Sequence, residues 1–196
     1  MAIIKGDLRS IVPPQKYGAI YADPAWQWTT WSDKGKKKSP DAHYQCMSLD
    51  DIKALPVADW ALPDCALFLW AVDAMIPQAL ETIAAWGFEY KTVGFYWRKL
   101  TSKDNEFFGQ GYWTRGNPEC CFLATRGHPK RLSRAVRKLV NARRGAHSEK
   151  PGEVRRRIEK LVPGPYLELF ARHDDSGWDC AGNQAGEREV STQPSM

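Results

Sequence analysis

Asp23 is the first residue whose type and place in the chain suggest chemistry. It closes the apolar run YGAIYA (17–22) and is followed at once by Pro24-Ala25-Trp26. Proline fixes φ in the backbone that follows the carboxylate, and aromatics stand on either side. Three further groups have comparable character. Glu168 and Arg172 lie in and just after YLELFA (166–171), Asn183-Gln184 follow WDCAG, and Lys150 precedes a helical pattern in HSEKP. In open α/β sheets ligands bind beyond the carboxyl ends of the strands, so these groups can converge there. They suit a small ligand bearing a carboxylate and ribose hydroxyls: Lys pairs with the carboxylate, Glu or Asn with hydroxyls, and Arg pairs or stacks. Taken singly, Glu168 or Lys150 is more often a surface charge, and only the combination carries weight. Neither a G-x-x-x-x-G-K nor a G-x-G-x-x-G loop is present. That argues against pyrophosphate cofactors and nucleoside triphosphates. A cofactor without phosphate fits better, and S-adenosylmethionine is the obvious candidate.

Other chemistries find less support. The five cysteines are odd in number and show no C-x-x-C spacing, which argues against a disulfide framework and for a reducing compartment. The four histidines, His43, His128, His147 and His173, are scattered, so no metal constellation emerges. The opening MAIIKGDL lacks signal-peptide architecture, and ALFLWAV (66–72) is too short to span a bilayer. A soluble, cytoplasmic protein without a membrane partner is expected.

The elements that position these groups follow from hydrophobic pattern. Apolar runs at 17–22, 65–72, 91–97, 119–125 and 166–171 are nearly continuous, as befits strands covered on both faces. Helical patterns lie between them. SLDDIKAL places Ser48 and Asp51 at capping-box spacing. AMIPQALETIAAWG sets Leu80, Ile83 and Ala84 on one face and stops at Gly87. KPGEVRRRIEKLVPG spaces Val154, Ile158 and Leu161 helically, with Pro151 at its start. Strands alternating with helices predict an α/β sandwich around a largely parallel sheet. With 196 residues, the chain suits one domain, expected over 1–185. Long irregular segments at 27–45 and 100–118 interrupt it, and 186–196 is expected to be a flexible tail.

The net charge of +5 is modest, but eight Lys/Arg and no acid fall between Arg126 and Arg144. Arg155-Arg156-Arg157 and GKKK (35–38) add to it. Such clustering is the footprint of a polyanion. The nine tryptophans belong mostly to the core.

These residues and motifs, in order, resemble the MT-A70 family of N6-adenine methyltransferases, whose signature is Asp-Pro-Pro-Trp. The resemblance continues through HYQCMSLDDIKALP, ALFLWAV, AAWGFE, GFYWRK, NPECCFLATRG, HSEKP, IEKLVPGPYLELFAR and GWDCAGNQ, about residues 5–185. It implies a Rossmann-like, three-layer methyltransferase fold with permuted motif order, the catalytic strand first and much of the cofactor site last. Carried over, Asp23 and the Pro24 carbonyl accept hydrogen bonds from the adenine amine, while Trp26 and Tyr21 flank the base. Tyr44 lies near the active site and Glu119 near the substrate base. Lys150 meets the S-adenosylmethionine carboxylate. Glu168, Arg172, Asn183 and Gln184 hold its ribose and surroundings, and Asp7-Leu8 meet its adenine. The family's second proline is Ala25 here. The likeness to compact bacterial or phage members favours site-specific DNA methylation on a flipped-out or single-stranded base, with no metal. RNA as the substrate, or a catalytically silent nucleic-acid-binding subunit, are the alternatives; a homodimer is left open.

Overall fold

The computed structural model describes residues 2–26, 47–109, 111–145, 149–173, 176–182 and 185. Tyr44, Asn183, Gln184, the segment 27–45 and the tail 186–196 lie outside these residues. The described elements run β1 (Ile3–Lys5), β2 (Tyr17–Ala22), α1 (Leu49–Lys53), α2 (Val57–Trp60) and β3 (Ala61–Ala71). Then come α3 (Ile76–Ala85), β4 (Glu89–Leu100), β5 (Pro118–Arg126), β6 (Leu139–Arg143), α4 (Glu153–Leu161), β7 (Tyr166–Leu169) and β8 (Trp178–Gly182).

The strands join in one eight-stranded sheet of order β1-β8-β7-β2-β3-β5-β4-β6. Every neighbouring pair is parallel except the two that involve β5. Apolar side chains alternate to both faces. Ile20 and Ala22 of β2 join Leu67, Leu69 and Ile83 in one core. Ala19 and Tyr21 join Phe68, Trp70, Val154 and Ile158 in the other. A central strand that buries both faces has no polar alternation, which is why these runs read as continuous. α3 covers one face and α4 the other, giving the three-layer, Rossmann-like arrangement.

Local chemistry sets several boundaries. The Ser48 hydroxyl accepts from the Asp51 amide at 3.1 Å and donates to the Asp51 carboxylate at 2.9 Å, capping α1. At Gly18, a Cβ would lie 2.9 Å from the carbonyl oxygens of Pro163 and Gly164. Glycine lets the turn before β7 close down on β2.

Two expectations need correction. The face α3 buries is Ala79, Thr82 and Ile83 rather than Leu80, Ile83 and Ala84. Leu80 turns outward to line an apolar groove of about 330 Å³ with Ile76, Tyr90 and Tyr96; aromatic neighbours on β4, not the core, take up its apolar surface. Strand β6 sits inside the basic run and was not foreseen. Only Val140 in it is buried, so its apolar signal is faint, and pairing with β4 from Tyr96 to Leu100 holds it.

Candidate active site

The chain leaves β2 towards β3 on one side, whereas β7 continues to β8 on the other. Between the carboxyl ends of β2 and β7 the connections diverge, and an open α/β sheet forms its binding crevice at such a point. Asp23 follows β2 there and Arg172 follows β7 by three residues. Because β5 runs antiparallel, its amino end brings Glu119 to the same rim, opposite Trp97 of β4. Lys150, just before α4, completes the group.

These side chains form a line of alternating charge. Lys150 Nζ donates to Asp23 Oδ2 at 2.8 Å and lies 3.3 Å from Glu119 Oε2. Lys99 Nζ donates to the other Glu119 oxygen. Lys150 and Lys99 also stand 5.5 and 5.4 Å from the ring centroids of Trp70 and Trp97, within cation–π range. Those rings meet edge to face at 6.3 Å.

The environment splits the acidities of the two carboxyls. Burial pushes Asp23 above the usual carboxylate range, and Lys150 offsets this only in part. Burial acts on Glu119 in the same direction, but Lys150 and Lys99 together outweigh it and hold Glu119 below its ordinary value. Burial opposes the Lys150 ammonium, yet the two carboxylates overcome that and raise its pKa. The site therefore carries a firmly protonated lysine beside a carboxylate with a strengthened appetite for a proton.

The backbone after Asp23 is fastened. The Trp26 amide donates to the Pro24 carbonyl at 2.8 Å, leaving that oxygen a second lone pair. Trp26 is buried, and its Nε1 donates to the Trp70 carbonyl at 3.1 Å. Its ring anchors the loop in the core shared with α3. Tyr21 departs from expectation. It is 1% exposed, its hydroxyl accepts from Trp70 Nε1 at 2.7 Å, and Trp178 meets its ring edge to face at 6.0 Å. Its place on β2 points it into the α4-side core, so the ring is structural and does not flank a base in this arrangement.

The remaining predicted residues are placed as follows. Glu168 is buried in β7, and both its oxygens accept from Arg155 of α4, at 2.6 and 2.7 Å. Arg172 is near enough to Asp23 to act on its carboxyl electrostatically. Leu8 is buried, while exposed Asp7 accepts from the Arg9 guanidinium at 2.6–3.0 Å. Sequence reasoning missed Lys99 and Arg155. Lys99 lies two residues beyond Trp97 on one strand face, a period-two signal that was available. Arg155 is hidden in a triple-arginine run whose pattern reads as part of a polyanion footprint.

The MT-A70 family model matches residues 17–184. The chain is 32% identical over 197 residues to the type II methyltransferase M.MunI of Mycoplasma sp, covering 91% of this chain and 82% of that protein. It is 26% identical over 183 residues to the N(6)-adenine-specific methyltransferase METTL4 of Mus musculus, covering 86% of this chain and 37% of the mouse protein.

Proposed function

The chain belongs to the MT-A70 family, and from that premise we propose that it methylates the N6 amine of adenine in DNA, with S-adenosylmethionine as methyl donor and Asp23 at the reaction centre. The observation that carries this is Asp23 itself. It is a half-buried carboxylate at the carboxyl end of β2, followed by a fastened Pro24 carbonyl and faced by Lys150. Likeness over 82% of a protein named a type II methyltransferase supports DNA as the substrate.

The residues present fit the cofactor. Lys150 and Arg172 bring positive charge to the crevice between β2 and β7, which suits a carboxylate. Asp23 brings the negative charge that suits an α-amine or a sulfonium. Glu168, held by Arg155, brings carboxylate oxygens of the kind that accept from ribose hydroxyls. Asn183, Gln184, Asp7 and Leu8 are assigned to the same ligand, and Tyr44 and Glu119 to the base. When bound, S-adenosylmethionine supplies a methyl group made electrophilic by its sulfonium.

The chain's own residues address the other half of the problem. The adenine amine is conjugated into its ring and is a poor nucleophile. The Asp23 carboxylate and the Pro24 carbonyl each accept one N–H of that amine, drawing its lone pair out of conjugation and aiming it. Reacting atoms held roughly 3–3.5 Å apart gain the advantage of proximity. As the amine becomes cationic, the adjacent Asp23 carboxylate stabilises it. Its raised pKa also suits it to accept the departing proton, directly or through water. Within a duplex the base must leave the stack to reach the end of β2.

The test is methyl transfer from labelled S-adenosylmethionine to unmethylated DNA, with the product nucleoside identified by mass spectrometry. N6-methyladenine from the wild type and none from Asp23→Ala is expected. Undiminished transfer by Asp23→Ala would sink the mechanism, and preferential transfer to RNA would replace the substrate.

A further inference from the structure

The connection between β4 and β5 leaves the sheet beside the candidate site, since Arg98 pairs with Pro118 and Trp97 with Glu119. It carries the most exposed large apolar side chains in this part of the chain: Trp113 at 92%, Tyr112 at 72% and Phe108 at 69%. Leaving such rings in water forgoes the stabilisation that burial would give.

The excursion is nonetheless built. At its root the Phe107 amide donates to the Lys99 carbonyl at 3.1 Å, and the Gly109 amide donates to the Gly116 carbonyl at 2.8 Å. Arg98 grips Glu106 and Arg143 grips Asp104, while the Arg144 guanidinium stacks over the Phe107 ring at 4.0 Å. A Cβ on Gly111 would lie 2.1 Å from the Thr114 carbonyl oxygen, so only glycine permits this tip. Trp113 has φ of 68°, a left-handed conformation that costs a bulky residue energy. A braced projection thus presents Tyr112 and Trp113 to solvent, with exposed Arg115 next to them.

We propose that the tip formed by Tyr112 and Trp113 is a base-stacking wedge that holds DNA open beside the target adenine. This rests on the methyltransferase reading given above. Extruding a base leaves a gap whose flanking bases lose a stacking partner, and inserted apolar side chains commonly fill such gaps. An aromatic ring accepts any base face and is insensitive to sequence. Arg115 and Arg144 supply cations for the flanking phosphates. The charge of these neighbours favours a polyanion over a second copy of this basic chain as the occupant.

Photocross-linking tests the wedge without knowledge of a recognition sequence. Random-sequence duplex DNA carrying 5-iododeoxyuridine is bound to the full chain and irradiated, and the cross-linked tryptic peptides are mapped. Cross-links at Tyr112 or Trp113, within peptide 104–115, are expected. Trp113→Ala should lose most of that yield and raise KM for duplex DNA about tenfold with little change in kcat, whereas Trp113→Phe should retain both. Cross-links confined to other segments, an unchanged KM in Trp113→Ala, or a dimer that this substitution dissociates would overturn the proposal. Cross-linking requires no methyl transfer. A wild-type chain that cross-links through the tip but leaves DNA unmethylated therefore fails the catalytic reading and keeps this one.

Discussion

Asp23 must be ionised to accept from an amine, yet burial favours its neutral form, and Lys150, with a smaller contribution from Arg172, restrains that tendency. Activity should therefore fall as pH drops through a pKa above the ordinary carboxylate value of about 3.9. Lys150→Gln removes the larger restraint, so the acid limb of kcat/KM should move to higher pH whatever happens to its height. The stability effect runs the opposite way to that of a salt-bridged acid. A raised folded-state pKa means that stability from protonated Asp23 is present at low pH and lost as pH rises through that pKa. Asp23→Asn removes this penalty but also one partner of Lys150, which keeps Glu119 at 3.3 Å. It should therefore melt within a few degrees of wild type by calorimetry, while methyl transfer falls at least about a hundredfold. Ala25 is a milder case. It is the middle residue of the turn closed by the Trp26 amide and the Pro24 carbonyl. The common inverse form of such a turn needs φ near −75°, which proline supplies. Ala25→Pro should leave kcat equal or higher, and a clear loss would mean that the loop depends on movement at this position.

The tie between α4 and β7 shows how elements hold the site. Arg155 and Glu168 are both largely buried and bonded through two pairs of atoms, and Arg155 also lies 5.7 Å from the Tyr21 ring centroid. Arg155→Ala removes the two-point cationic partner of a buried carboxylate, which costs about 3–5 kcal/mol. At about 2–4 °C per kcal/mol for a chain of this size, the melting midpoint should drop by roughly 6–20 °C. Arg155→Met combined with Glu168→Met removes both charges and should recover most of that loss. A double variant no more stable than the single one would show that the pair itself, not the buried charge left behind, is what stabilises. This contact was illegible in the sequence because ion pairing across 13 residues leaves no periodic trace. The strands were legible for the opposite reason: β2, β3, β5 and β7 are buried on both faces, and burial on both faces writes itself as a run. Asp23, Glu119 and Lys150 were nominated from motifs, and the fold brings them within reach of one another. Their linkage through Lys99 required knowing that β5 runs antiparallel, which no local pattern encodes. The rotation of α3 was hidden similarly, since Leu80 is as apolar as a core residue and only the aromatics of β4 explain why it faces out.

At the scale of the molecule, the fold divides the basic run that suggested a polyanion. β5 carries the chain away from the site, and the Arg126 guanidinium bonds the Ala58 carbonyl while the His128 amide bonds Asp64. The Leu132 amide reaches the Leu161 carbonyl at the end of α4, and α4 starts at Glu153, three residues after Lys150 at the site, and runs away from it. β6 then returns parallel to β4 and delivers Arg143 and Arg144 next to Leu100, at the site end. A nucleic acid that places an adenine at Asp23 meets the last residues of the run and the β4–β5 connection, while Lys130 and Arg131 face elsewhere. Each phosphate neutralised by a cation contributes about 0.9 to the slope of log affinity against log salt. Substituting Arg115 and Arg144 together by alanine should therefore flatten that slope by roughly 1.8 and weaken binding at low salt. Lys130 and Arg131 substituted together should change neither quantity by more than a long-range field contributes. Titrations of labelled duplex DNA at several salt concentrations decide it. Equal flattening by the two pairs would mean that DNA wraps round the edge of the sheet at β6, and an effect of the second pair alone would place it on the wrong end of the molecule.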